Sequence, residues 1–210
     1  MLENNIVISY LLKFFRLELP HKETMEEYLN FILPKVRKTS LNLGYLDVYT
    51  NGKYWLEISD DDNAHESILH MFGNEELPDP RSDEQSYKYS IDGNMLNGQW
   101  ARMGSRSIFI KVPGLEFVMY DLVFLNTDFF ILKKHGNHRG PKYLFLASEN
   151  KISRQYEWYD VLGRKREKVK LEWRDIMEML FDIYRYDYGF IAASVVVIVV
   201  IMFIAYLSIG

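Results

Sequence analysis

The chain of 210 residues contains no cysteine, which excludes disulfides, zinc–thiolate sites, iron–sulfur clusters and cysteine nucleophiles. It also lacks the P-loop, G-x-S-x-G and H-E-x-x-H spacings. A net charge of only −4 gives no field of the kind that attracts nucleic acid. We therefore expect a protein without enzymatic activity, cofactor, metal or nucleic-acid partner.

Charge is missing altogether from one end of the chain. All 25 Lys and Arg and all 29 Asp and Glu precede residue 189, and the run from Gly189 to Ile209 is apolar or small. As a helix, such a run spans about 30 Å, the thickness of a bilayer's hydrocarbon core. We expect a single transmembrane helix, a tail anchor, at 189–209. Basic residues upstream of it and none after it predict a membrane protein whose domain faces the cytoplasm.

Four segments follow from changes in periodicity: an N-terminal helical segment at 1–42, an antiparallel β domain at 43–163, a basic and amphipathic juxtamembrane helix at 164–188, and the membrane helix at 189–209. The predicted fold class is α+β. Two short N-terminal helices precede an antiparallel β-meander, a small barrel or sandwich of about seven or eight strands. A C-terminal amphipathic helix then continues into the transmembrane helix.

Two helices are predicted before the β domain. Residues 6–17 are apolar around most of a helix, so Leu11, Phe14 and Phe15 are expected to pack on their own domain or on a partner; a membrane surface is the lesser alternative. Thr24 and Glu27 fit a capping box, which predicts the start of the second helix.

Alternating apolar and polar residues with recurrent turn signals predict the strands. Hairpins are expected at Asn51-Gly52, between LDVY and YWLEI, and at Asp92-Gly93. Further turns are expected at Pro113-Gly114 and Asn126-Thr127. Late strands are predicted at 143–147 and 155–161, and 60–86 is predicted to be a long loop with one helical turn near 65–72.

The triplet Gly98-Gln99-Trp100 resembles the short G-x-W element of lipocalin-like barrels, in which the Trp closes one end of a calyx. The likeness covers three residues and lies on a later strand than in lipocalins. It implies a barrel with a pocket and a buried Trp100, and it is not taken as membership of that family.

Three surfaces are candidates for binding. A basic loop with glycines could bind an anion or an acidic partner, or be a solvated hairpin end: Lys133, Lys134, His135, His138, Arg139 and Lys142. A second cationic run could contact lipid headgroups or be a hairpin end: Arg164, Lys165, Arg166, Lys168 and Lys170. The apolar stalk face, with a small-residue motif after it, could form an oligomer: Trp173, Ile176, Met177, Leu180, Tyr184, Gly189 and Ala193.

These patterns lead to two functional hypotheses. The first is a tail-anchored, non-enzymatic subunit of a membrane-bound multiprotein assembly, such as secretion or envelope machinery, which docks other subunits through its β-rich domain. The alternative is a membrane-anchored sensor or effector, whose small barrel binds an anionic small ligand near Lys133, Lys134 and Arg139 and thereby controls oligomerisation. A pocket of about 300 Å³ with convergent basic residues would favour the alternative.

Overall fold

A computed structural model describes residues 17–50, 52–61, 68–76, 84–114, 117–136, 140–156 and 172–209. Helix α1 spans Met25–Val36. The side chain of Thr24 accepts a hydrogen bond from the Glu27 amide, so the predicted N-cap is confirmed. A single 3₁₀ turn, Arg37–Thr39, follows α1. The first predicted helix, with Leu11, Phe14 and Phe15, lies outside the described residues.

Eight antiparallel strands form a closed barrel in which each strand pairs with its neighbours in sequence and β1 pairs with β8. The predicted α+β class, with short helices and an antiparallel meander, is therefore confirmed, and the meander is a barrel rather than a sandwich. The strands are β1 Trp55–Ile58, β2 Ile68–Glu76, β3 Gln85–Ile91, β4 Asn94–Met103, β5 Ser107–Lys111, β6 Val118–Leu125, β7 Phe129–Lys134 and β8 Tyr143–Ser148.

Side chains of β7 and β8 alternate between two separate cores. Phe130 and Leu132 point into the barrel with Leu144 and Leu146, whereas Ile131 and its neighbours face outward. The outward residues are covered by α1 and by helix α4, Trp173–Ile209, so both faces of this wall are buried. A β-bulge at Val123 shifts the register of β6 and keeps Leu122 and Leu125 inside the barrel.

The turn Asp92-Gly93 joins β3 to β4 as predicted, with φ angles of 48° and 84° at its two residues. Positive φ at both central positions is the geometry of a type I′ hairpin, which Asp-Gly favours. At the turn between β6 and β7, the side chain of Asn126 accepts hydrogen bonds from the amides of Asp128 and Phe129. Both of these predicted turns are confirmed.

The hairpin predicted at Asn51-Gly52 is wrong. LDVY forms a short helix, α2 (Leu46–Tyr49), in place of a strand. Tyr49 is fully buried, its hydroxyl donates to the Leu43 carbonyl, and its ring packs on Phe72, Trp100 and Phe130. Burial of this ring at the end of the barrel outweighs the local preference for a strand.

The long loop predicted over 60–86 is also wrong in part. Residues 68–76 form β2, which pairs with β1 and β3 and is needed to close the barrel. The strand was missed from the sequence because His70 and Gly73 interrupt the apolar pattern of this segment. Residues 149–156 form helix α3, Glu149–Tyr156, where a strand was predicted to begin at residue 155; residues 157–161 lie outside the described residues.

Helix α4 runs without a break from Trp173 to Ile209, 37 residues. Its first half packs on α1 through the ring pairs Tyr28–Trp173 and Phe31–Phe181, with centroids 5.7 and 6.0 Å apart. Its second half exposes large apolar residues from Val195 to Ile204. The predicted transmembrane helix is not found: over the described residues, no helix is both long enough and apolar enough to cross a membrane.

Candidate ligand-binding site

One end of the barrel is closed by aromatic packing. Trp55, Phe72, Trp100 and Phe130 are fully buried there beneath Tyr49 of α2. Their polar atoms are satisfied: the Trp55 indole donates to the Tyr49 carbonyl, and the Trp100 indole donates to the Gly73 carbonyl, each over 3.0 Å. The buried Trp100 expected from the G-x-W triplet is therefore confirmed.

The other end contains a cavity of about 290 Å³. We call this cavity the calyx. It lies where β1, β5 and β7 end and β6 and β8 begin, on the far side of the barrel from α2. Its walls are formed by Glu57, His70, Tyr87, Tyr89, Ile110, Val112, Val118, Tyr120, Lys134, Pro141, Tyr143 and Leu144.

A hydrogen-bonded chain connects three strands within the calyx. His70 Nε2 lies 2.9 Å from Glu57 Oε2, and His70 Nδ1 is hydrogen-bonded to the Tyr87 hydroxyl. The carboxylate accepts, so Nε2 donates; in the neutral imidazole Nδ1 then accepts from Tyr87. His70 and Tyr87 are 3% and 2% exposed. Both imidazole nitrogens are thus occupied, while Glu57, whose side chain is 30% exposed, still faces the cavity.

Two tyrosines of the calyx, Tyr87 and Tyr120, keep their protons. Burial raises the pKa of Tyr87 well above its ordinary value, and the charge of Glu57 raises it further. Burial, Glu57 and Tyr89 raise the pKa of Tyr120 as well. Because these hydroxyls stay neutral, each can donate or accept a hydrogen bond but supplies no negative charge.

Gly98 leaves the space that the ring of Tyr87 occupies. A Cβ on Gly98 would lie 2.5 Å from the Lys111 carbonyl oxygen and 3.1 Å from a ring carbon of Tyr87. The first contact is with backbone and cannot be relieved by a side-chain rotation. Gly98 therefore allows β4 to pass close to β5 beside the ring of Tyr87.

The structure separates the residues of the predicted basic loop. Lys134 lines the calyx, because it follows the inward-facing Phe130 and Leu132 at intervals of two along β7, whereas Lys133 is exposed. His135 is paired with Asp121 on the outer surface over 2.9 Å. Lys142 is bound to Glu26 of α1 over 3.0 Å, which raises the pKa of Lys142. His138 and Arg139 lie outside the described residues.

The predicted stalk face is covered within the same chain. Ile176, Met177 and Leu180 are buried against α1 and the outer barrel wall, and Trp173 and Tyr184 pack at the edge of this cluster. Ile176, Met177 and Leu180 are thus covered by the chain itself, while Trp173 and Tyr184 are partly exposed. The surroundings of Gly189 and Ala193 are not described, and the predicted lipid-contacting residues Arg164, Lys165, Arg166, Lys168 and Lys170 lie outside the described residues.

Most calyx residues were not identified from the sequence. Glu57, His70, Tyr87 and Tyr120 lie on four strands, and His70 lies on a strand that was itself predicted as loop. The signal was the alternation itself: Trp55 and Glu57, or Phe72 and His70, are two residues apart and so must face the same side of the sheet. Where one inward-facing position of a strand is apolar and the next inward-facing position is polar, a packed core can end and a cavity begin.

Fold and cavity together define the class: a closed eight-stranded antiparallel barrel with a calyx of polar and apolar residues at one end and a two-helix layer on its outer wall. Comparison of the chain with family models, curated proteins and solved structures gives no match.

Proposed function

We propose that this chain is a non-enzymatic binding protein whose calyx holds a small molecule. The supporting observation is the cavity of about 290 Å³ in a barrel whose opposite end is tightly filled. Ligand pockets are of this kind, with apolar walls and a few convergent polar groups. Here Ile110, Val112, Val118 and Leu144 supply apolar wall, while Glu57, Lys134 and the tyrosine hydroxyls supply polar contacts.

Ligand binding accounts for more of the described residues than subunit docking does. Docking was expected to use the basic loop, the first helix and the stalk face. Lys142 is engaged by Glu26, and Ile176, Met177 and Leu180 are covered by the chain's own helix and barrel. Lys134, which the sensor hypothesis used, lines the calyx.

We also propose that the distal half of α4 attaches the barrel to a membrane. Residues 195–204 are each 40–62% exposed, and the chain is uncharged from 189 to 209. Such a long apolar surface indicates a lipid or protein contact. Since no described helix is long and apolar enough to cross a membrane, this part of the proposal rests on the uncharged run and on that exposure. Co-sedimentation with phosphatidylcholine vesicles tests it: the whole chain should pellet with vesicles, and the variant Val197→Lys with Ile201→Lys should not.

The ligand-binding proposal is tested by native mass spectrometry of the whole chain, purified in mild detergent from the organism that makes it. We expect a bound small molecule that is lost in Val118→Trp, which fills the calyx from β6. Met119→Trp is the matched control, because Met119 is not a calyx residue although it adjoins Val118 on β6. Protein free of any small molecule, with indistinguishable spectra for both variants, would contradict the proposal.

A further inference from the structure

The calyx contains one carboxylate and one ammonium group that are not paired with each other. Among the described residues, Glu57 and Lys134 are the Asp, Glu, Lys or Arg residues that line it. Glu57 bonds to His70, and no ion pair within 4.0 Å between described residues joins Glu57 to Lys134. Two opposite charges are therefore held in one cavity with space between them.

The two charges differ in their surroundings. Glu57 lies against His70, which is 3% exposed. Lys134 is the last residue of β7, at the rim, and its Nζ would lie 3.9 Å from a Cβ placed on Gly140 in the following loop. The carboxylate thus belongs to the inner wall and the ammonium group to the mouth.

A ligand with one charge fits this cavity poorly. An anion held by Lys134 must share the cavity with Glu57, whose charge already raises the pKa of Tyr87 and Tyr120. A cation at Glu57 leaves Lys134 without a counter-charge at the mouth. Desolvating a charge is costly unless an opposite charge and hydrogen bonds compensate it.

We infer that the calyx binds a small zwitterion, with the ligand's ammonium group at Glu57, its anionic group at Lys134 and its apolar part against Ile110, Val112 and Leu144. This inference rests on the proposed function and adds the chemical class of the ligand.

Three probes that share a phenyl ring and differ in charge provide the test: phenylalanine, 2-phenylethylamine and 3-phenylpropanoate. Their affinities for the whole chain in detergent are measured by calorimetry at neutral pH, with Val118→Trp as the blocked control. We expect phenylalanine to bind at least about tenfold more tightly than either singly charged probe. Lys134→Met should abolish that advantage over 2-phenylethylamine, and Lys133→Met, one residue away and exposed, should preserve it.

Charge reversal keeps the test informative if Glu57→Gln fails to fold. Lys134→Glu, at the rim, should make 2-phenylethylamine the tightest of the three probes. Where Glu57→Gln does fold, it should lower the affinity for phenylalanine and 2-phenylethylamine but not for 3-phenylpropanoate.

The outcomes separate this inference from the function on which it rests. Stronger binding of a singly charged probe that Val118→Trp blocks would overturn the zwitterion and leave the calyx as a ligand site. Absence of any binding that Val118→Trp blocks, for all three probes, would overturn the zwitterion, and the native mass spectrum then decides whether the calyx binds anything at all.

Discussion

The two ends of the barrel are built from the same strands but filled in opposite ways. At the closed end, Trp55, Phe72 and Phe130 pack edge-to-face or tilted, with ring centroids 5.4–5.8 Å apart. At the other end, Glu57 lies two residues after Trp55 on β1, and His70 lies two residues before Phe72 on β2. Lys134 lies four residues after Phe130 on β7, so all three face inward as these aromatic residues do. The same alternation that buries aromatic rings at one end thus directs polar groups into a cavity at the other.

The difference separates a packed end of the barrel from an end that contains a cavity. Aromatic side chains bury large areas, and each pair adds about 0.5–1.5 kcal/mol beyond that burial. A cavity contributes none of this, and its polar groups require partners of their own. The Tyr87–His70–Glu57 chain meets that requirement at the boundary between the two ends.

The largest expected loss of stability follows from a substitution at the closed end. Trp100→Ala removes a side chain that is 0% exposed and leaves the Gly73 carbonyl without its donor, so we expect a loss of about 3–5 kcal/mol in the free energy of unfolding. Val118→Ala at the edge of the calyx should cost about 1 kcal/mol. Urea denaturation followed by tryptophan fluorescence measures both. Equal losses would mean that the two ends pack alike.

A smaller effect is expected at the boundary. Tyr87→Phe leaves His70 Nδ1 buried without its hydroxyl partner, which should cost about 1–3 kcal/mol. Tyr45→Phe, at a site that is 56% exposed, should cost almost nothing in the same denaturation assay. If Tyr87→Phe and Tyr45→Phe lower the free energy of unfolding by the same amount, the Tyr87–His70 hydrogen bond does not stabilise the fold.

Alkaline pH sharpens the comparison, because each end has a buried tyrosine. Burial raises the pKa of Tyr49 at the closed end and of Tyr120 in the calyx above the ordinary value. The unfolded chain therefore loses these protons first, near pH 10, and stability present below that pH falls as pH rises further. Each group should account for about 1 kcal/mol by pH 11. The loss between pH 9 and 11 should shrink by that amount in Tyr49→Phe and in Tyr120→Phe; an unchanged pH profile in either variant would contradict the assignment.

The smallest effect on stability is expected at the mouth. Lys134→Met and Lys133→Met should each change the free energy of unfolding by less than about 0.5 kcal/mol, because neither lysine is fully buried. Only Lys134→Met should alter the binding of phenylalanine. A large loss of stability in Lys134→Met would assign Lys134 to packing instead of binding.

Local sequence signals identified the elements whose energetics are local. The N-cap at Thr24 and the positive-φ turn at Asp92-Gly93 both depend on residues within four positions of each other, and both are confirmed. Predictions failed where distant contacts decide. LDVY became a helix because Tyr49 packs on rings of β2, β4 and β7, and β2 was missed because its pairing with β1 and β3 outweighs its irregular pattern.

The candidate site shows the same limit. Of the basic loop predicted to bind an anion, the calyx uses Lys134, whose inward direction follows from its even spacing after Phe130 and Leu132. His70 could not be joined to Glu57 or Tyr87 from the sequence, since they are 13 and 17 positions away. Their contact exists only once three strands are paired in register.

By itself, the sequence determined the antiparallel meander, helix α1 with its cap at Thr24, and the uncharged run at 189–209, because alternation, capping and charge are properties of neighbouring residues. Only the tertiary structure decided that the meander closes, through β1 on β8, and which faces then look inward. Closure places Glu57 opposite Leu146 and gathers groups from seven strands around one cavity. Those pairings are long-range, and no local pattern determines them.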